Sequence, residues 1–329
     1  MKKQLLLSLI LTLFCGIIYG QHLIRVNNNP GADADYTTLQ AAHDNASNGD
    51  TIYVEGSQVA YVGIEVYKKL TFIGPGYFLS ENDSTQANSL DANISGIMDL
   101  QAGSAGSGIT GLKVSTIDIR VNDIVISRCN VTVVRIMSNS ANCLITQNYL
   151  QEFFVNSGNV TNSIISNNIV TSRISASSGS YPLTITNNVF RDAPYVTPLS
   201  VYYSSIANNI FCNSTYKIAE HTGNNIINNI LAYSGTNADG NKYNITMATV
   251  FVDYSGSLGY SDDAKWKLKA GSPAIGAGVS GVDCGVFGGP TPYVLSGVPA
   301  LPHIYEAHIP GTGYSDKGLS CTIKVKSGK

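Results

Sequence analysis

The chain has 329 residues, of which 43% are hydrophobic and only 13% charged, and its formal net charge is −2 at pH 7. That length suits one large domain, and with no basic patch or charge run a nucleic-acid partner is not expected. So small a net charge also argues against a strongly charged ligand.

In chain order, the first feature is a leader. Met1-Lys2-Lys3 gives a positive start, Leu5 to Ile18 is apolar, and Gly20 before Gln21 offers a small residue at a cleavage point. Residues 1–20 therefore read as a cleavable export signal, and the expected location is secreted or cell-surface. The apolar run is shorter than the roughly 20 residues a membrane span needs, so no span is expected in the mature chain. Cys15 sits inside the apolar run behind Phe14, where a lipid anchor would require a small residue. Residues 21–34 read as an exposed lead-in. Residues 36–50 are expected to form a capping helix, with Tyr36, Leu39, Ala42 and Ala46 towards the core.

From about Thr51 to about Ala232 the sequence predicts stacked coils. One phrase returns as ITQNYL, ISNNIV, ITNNVF, IANNIF and IINNIL, and its second Asn falls at Asn148, Asn168, Asn188, Asn209 and Asn229, with gaps of 20, 20, 21 and 20 residues. A looser copy places Asn130 another 18 upstream, and a still looser one places Leu112 a further 18 back. A fixed period of this size marks units that bury their apolar face only by stacking on one another. Each copy has Ile145, Ile165, Ile185, Ile206 or Ile226 three before the Asn and an apolar residue just after it, which is strand composition. An α-solenoid unit needs roughly 33 or more residues, and the repeated Leu positions of a leucine-rich repeat are missing. Asn tolerates the left-handed backbone of a sharp corner. Asn130, Asn148, Asn168, Asn188, Asn209 and Asn229 are therefore expected to turn such corners and to stack as an amide ladder.

At this point the chain resembles the right-handed parallel β-helix proteins of the pectin-lyase-like superfamily, of the secreted bacterial type. DYTTLQAAHDNASNGDTIYVEG, Asp35 to Gly56, is similar to their opening segment of helix, Gly-Asp and first strand. KLKAGSPAIGAG, Lys267 to Gly278, and DCGVFGG, Asp283 to Gly289, are similar to their closing segment. The resemblance implies an all-β, right-handed, single-stranded parallel β-helix with an N-terminal capping helix and an irregular C-terminal cap. The expected organisation is a signal at 1–20, the β-helix with its caps at 21–289, and a Pro-rich linker and β tail at 290–329. In the tail Thr322, Lys324 and Lys326 alternate with Ile323 and Val325, as in a lone strand.

Enzymes of that superfamily gather acidic residues around calcium or pair carboxylates for hydrolysis. Paired carboxylates divide the work of giving a proton and activating water, and calcium takes six or more oxygen ligands. Acids in the repeats are few, and the superfamily's Gly-His-Gly and Arg-Ile-Lys hydrolase motifs are absent. Asp262-Asp263 reads as turn and cap. The five cysteines after the leader fit no metal pattern, so no metal and no cofactor is expected, with calcium admissible only for a lyase. Residues at equal offsets from the ladder should stack. Arg135, Glu152, Arg173 and Asp192 then form one outward strip of alternating sign, which is either a run of surface ion pairs or a ligand site. Tyr181 pairs with Tyr202, and Tyr195 with Tyr216, facing either a sugar or the core. The expected function is an exported, non-catalytic β-helix that binds glycans or surfaces or serves as a structural part, its partner a polysaccharide or cell-surface component. The alternative is a polysaccharide lyase or glycoside hydrolase acting on an extracellular polysaccharide.

Overall fold

The computed structural model of the protein describes residues 21–137, 139–156, 160–176, 182–219, 221–312 and 318–327. The leader and Tyr181 lie outside the described residues. The described residues between Leu23 and Leu231 wind into a parallel β-solenoid of about 9 turns. Among the described residues two long walls, each of ten strands, carry the stack. The first wall runs from the strand Leu23–Val26 to the strand Asn225–Ile227, and the second from Tyr61–Val66 to Ile230–Leu231. Every neighbour pair in these walls is parallel, as it must be when each coil returns above the last.

The interior follows from the repeat. Ile24, Ile52, Phe72, Ile109, Ile126, Ile145, Ile165, Ile185, Ile206 and Ile226 occupy one register column of the first wall. The second wall answers with Ile64, Met98, Ile117, Val134, Phe153, Ile174 and Leu199. All of these but Ile226 are buried, and each such side chain contributes roughly 1.5–3 kcal/mol. Phe190 and Phe211 lie stacked at 4.4 Å on adjacent coils. The residues just after the ladder Asn, from Ile169 to Ile230, face away from this interior. They form a second apolar cluster with Phe251, Trp266, Cys284 and Val286 of the closing segment.

The corner asparagines divide their labour, which corrects the expectation that a single Asn turns the corner and makes the ladder. Left-handed backbone belongs to the first residue of each pair: Arg128, Gln147, Asn167, Asn187, Asn208 and Asn228 all have φ between 53° and 59°. The second residue is the rung. Asn148, Asn168, Asn188, Asn209 and Asn229 are fully buried, and each side-chain oxygen accepts the backbone N–H of the preceding rung at 2.9 Å. Asn130 is not a rung. Its place is taken by Cys129, whose N–H donates to Asn148, while Asn130 begins the next strand opposite Tyr149. At the other end Asn241 adds a rung after only 12 residues, accepting from the Asn229 N–H at 2.9 Å.

The lead-in is also corrected, because Leu23–Val26 is the first strand of the wall. The capping helix is shorter than expected, Leu39–Asn45. Thr38 caps its N-terminus by accepting from the Ala41 N–H at 3.2 Å. Asp50 ends the following turn by accepting from the N–H groups of Ser47 and His22. Leu39, Ala42 and Ala46 are buried as expected and Tyr36 packs at their edge.

After the last coil the chain turns back and runs as a strap along the left-handed column. Asn228 donates to the Ala277 carbonyl at 3.0 Å, Asn208 accepts from the Val279 N–H at 2.8 Å, and Asn187 donates to Asp283 at 3.0 Å. Asn167 then donates to Val286 and Gly288, Gln147 to Pro292, and Arg128 to Val298. The tail strand Thr322–Lys326 is not alone. It pairs antiparallel with His303–His308, and the Ala87 N–H donates to the Ile304 carbonyl at 2.8 Å. Among the described residues no helix is long and apolar enough to cross a membrane.

Candidate ligand-binding surfaces

Outward side chains of the second wall stand in register columns, so the expected strip can be followed coil by coil. Glu152 and Arg173 are opposite one another and form an ion pair at 3.5 Å. Arg135 falls in a different column, facing Asp118 and Phe154. Asp192 leaves the wall altogether. Two features break the line. The strand Ile169–Ala176 carries a bulge between the registers of Leu150 and Glu152, and the strand Val189–Phe190 stops after two residues, ahead of Pro194 and Pro198. Four residues at similar offsets therefore form one pair, one neighbour of a different acid, and one exposed loop residue.

The tyrosines follow the phase more closely. Tyr195 and Tyr216 meet edge to face at 6.3 Å. Tyr195 is 86% exposed and holds a φ of 61°, a conformation uncommon for a bulky residue and of the kind that collects at functional sites. Tyr202 stacks on His221 at 4.0 Å, and His221 Nε2 lies 2.9 Å from Ser200 Oγ. Next to the outward pair, Lys217 sits 5.7 Å over the Tyr233 ring. The result is an open aromatic ledge beside the loop that holds Asp192.

Reasoning from the ladder missed a longer charged column. Glu65, Asp99, Asp118 and Arg135 occupy consecutive coils, one strand spacing of roughly 4.8 Å apart. Three stacked carboxylates repel, and the guanidinium groups offset it. Arg135 grips Asp118 through two bonds of 2.7 and 2.9 Å. Arg120 donates to Asp99 at 2.8 Å and reaches Asp118 at 3.8 Å. Glu65 accepts from the Tyr67 hydroxyl. Beside this column runs a shallow groove of about 470 Å³, lined by Val62, Gly63, Glu65, Tyr67, Ile97 and Asp99. A carboxylate engaged by a guanidinium has fewer lone pairs for a metal or for proton transfer. The signal for the column is in the chain as apolar-x-apolar triplets, IEV, MDL, IDI and VRI, but ladder asparagines are absent there to set the phase.

A second charged group joins the wall to the closing segment. Asp262 accepts from Lys265, from the Tyr149 hydroxyl and from Arg191, the last at 3.1 Å. Arg191 also donates to Tyr149 and lies 5.4 Å over Trp266. Burial alone would push the Asp262 carboxyl up, but Lys265, Tyr149 and Arg191 outweigh it and hold it below the usual carboxylate range. Burial, then the Asp262 carboxylate, push the Tyr149 hydroxyl up. Asp263 is fully buried and accepts from Asn82 at 2.9 Å, Ser261 at 2.8 Å and the Ser296 N–H at 2.7 Å, which makes it a knot of the cap. Among the described residues no three His, Cys, Asp or Glu side chains are grouped to hold a metal ion. No protein-family model matches the chain, and no curated protein matches it.

Proposed function

We propose that this is an exported β-helix of the pectin-lyase-like kind that binds polysaccharide at the outside of the cell without cleaving it. The observation that carries the reading is the outward pair Tyr195 and Tyr216, rings on adjacent coils that can lie against sugar faces while their hydroxyls bond to the ligand. The groove beside Tyr67 adds a further apolar-and-acidic surface, on the second wall. The acids Asp99, Asp118 and Glu152 are tied to Arg120, Arg135 and Arg173, which suits positioning better than proton transfer. A polysaccharide lyase or glycosidase is the second reading. It would draw on Tyr149, Arg191 and Asp262, and a calcium requirement belongs to it alone.

The test is affinity electrophoresis of residues 21–329 through gels holding neutral and acidic polysaccharides. Retardation by at least one polymer is expected, with Tyr195→Ala and Tyr216→Ala each weakening it by about tenfold or less. Unretarded migration through every gel would sink the binding reading. Release of reducing ends or unsaturated uronates by the protein would replace it with the lyase or glycosidase.

A further inference from the structure

One cavity touches none of these surfaces' tyrosines. It measures about 720 Å³ and lies between the loop at residues 81–85, the closing segment around Tyr260 and Lys267, and the tail hairpin, which contributes His303 and Lys326. That volume falls in the range of small-molecule sites. We infer that it is a binding pocket for a short, neutral oligosaccharide. This inference rests on the polysaccharide reading above and adds to it a second site and a ligand class.

Three features of the lining point to that ligand. The first is charge balance: Glu81 and Asp83 line the cavity together with Lys267 and Lys326, so acids and bases cancel and no strongly charged ligand is favoured. A sugar hydroxyl both donates and accepts, and so can serve a carboxylate and an ammonium at once. The second is an apolar surface, the ring of Tyr260 with Val294, Leu295 and Val298, which matches the C–H face of a pyranose. The third is His303. Its Nδ1 lies 3.1 Å from the Leu301 carbonyl, so in the neutral ring Nδ1 carries the hydrogen and Nε2 is an acceptor. That Nε2 is buried and has no hydrogen-bond partner among the described residues. A buried acceptor is costly to leave unpaired, and a ligand hydroxyl would supply the donor once the His303 ring, which lines the cavity, turns Nε2 towards it.

The hairpin is held to the body by the Ala87-to-Ile304 bond, and a two-stranded hairpin is marginal by itself. A ligand bridging His303 and Tyr260 therefore adds a contact between tail and closing segment.

The experiment is isothermal titration of residues 21–329 with cellotetraose, chitotetraose, mannotetraose and tetragalacturonate. At least one neutral tetramer is expected to bind with one site per chain, and tetragalacturonate more weakly. Tyr260→Ala and His303→Phe should each weaken binding by about tenfold, while His303→Gln, which keeps an acceptor, should stay within about threefold of the parent. Thermal unfolding of Tyr260→Ala should match the parent, since Tyr260 is half exposed. If no neutral tetramer binds, if Tyr260→Ala and His303→Phe leave binding unchanged, or if the uronate tetramer binds best, the inference is wrong. Tyr195→Ala separates the two sites. Loss of polymer retention in Tyr195→Ala with tetramer binding indifferent to Tyr260→Ala overturns the pocket and leaves the polysaccharide reading standing. The reverse pattern keeps the pocket and overturns the ledge.

Discussion

At the scale of single residues, two adjacent amides of the same kind do different work. Asn188 is buried, donates to the carbonyls of Ile165 and Thr186 and to Asn209, and accepts from the Asn168 N–H. Asn187 has a φ of 56° and donates to the strap at Asp283. Glycine adopts positive φ without cost but supplies no amide, so the two substitutions should diverge. Asn187→Gly is expected to cost about 1–2 kcal/mol, because the bonds to Asp283 and from Thr186 are lost while the relaxed backbone partly compensates. Asn188→Gly is expected to cost about 3 kcal/mol or more, because it strands several buried groups. Denaturant unfolding of the two variants checks both values, and equal costs would refute the division of labour. The 20-residue spacing made the column legible in the sequence. Which Asn of a pair turns inward was not, since that depends on the sign of φ one residue earlier. In the looser copy ISRCNV the pair is Arg128-Cys129, and the asparagine that follows it, Asn130, took the rung's place in the reading where Cys129 stands.

Among the elements, the early strands of the second wall are the least regular and the least legible. Tyr61–Val66 and Asn93–Leu100 pair with a register shift between Val62 and Ile64, and Asn93–Leu100 shifts again against Lys113–Ile119. Such bulges bend a strand and re-aim its side chains. Gly63 sits in the shift, and a Cβ there would meet the Ile97 carbonyl oxygen at 2.3 Å and its nitrogen at 2.5 Å. Gly63→Ala must push two coils apart. It is expected to lower stability by about 1–3 kcal/mol, read as an earlier thermal transition, and an unchanged transition would mean the coils separate freely here. The charged column from Glu65 to Arg135 escaped the sequence because its phase is carried by alternation alone, in coils separated by the loop at residues 74–92.

For the whole molecule, the closing segment is fastened by Asp262. Its folded pKa lies below the unfolded value because Lys265, Tyr149 and Arg191 outweigh burial. The stability it contributes is therefore complete above the ordinary carboxylate range and is lost as pH falls through the depressed folded value. Asp262→Asn should lower stability at neutral pH and flatten the loss of stability in acid, measured as transition midpoint against pH. A variant whose acid limb is as steep as the parent's would assign that limb to other groups. The stacked coils, the capping helix and the irregular end were legible because each is local or periodic. The strap was not, because residues 277–298 meet corners some 50 to 170 positions earlier in the chain with no spacing to announce them. Its presence changes how the molecule comes together. In a plain solenoid each repeat answers only to its neighbours, and the end can fray while the middle holds. Here a chain emerging N-terminus first piles up its turns unlatched, and the clasp that spans them follows only after the last coil, so closure and cooperativity arrive in the same step.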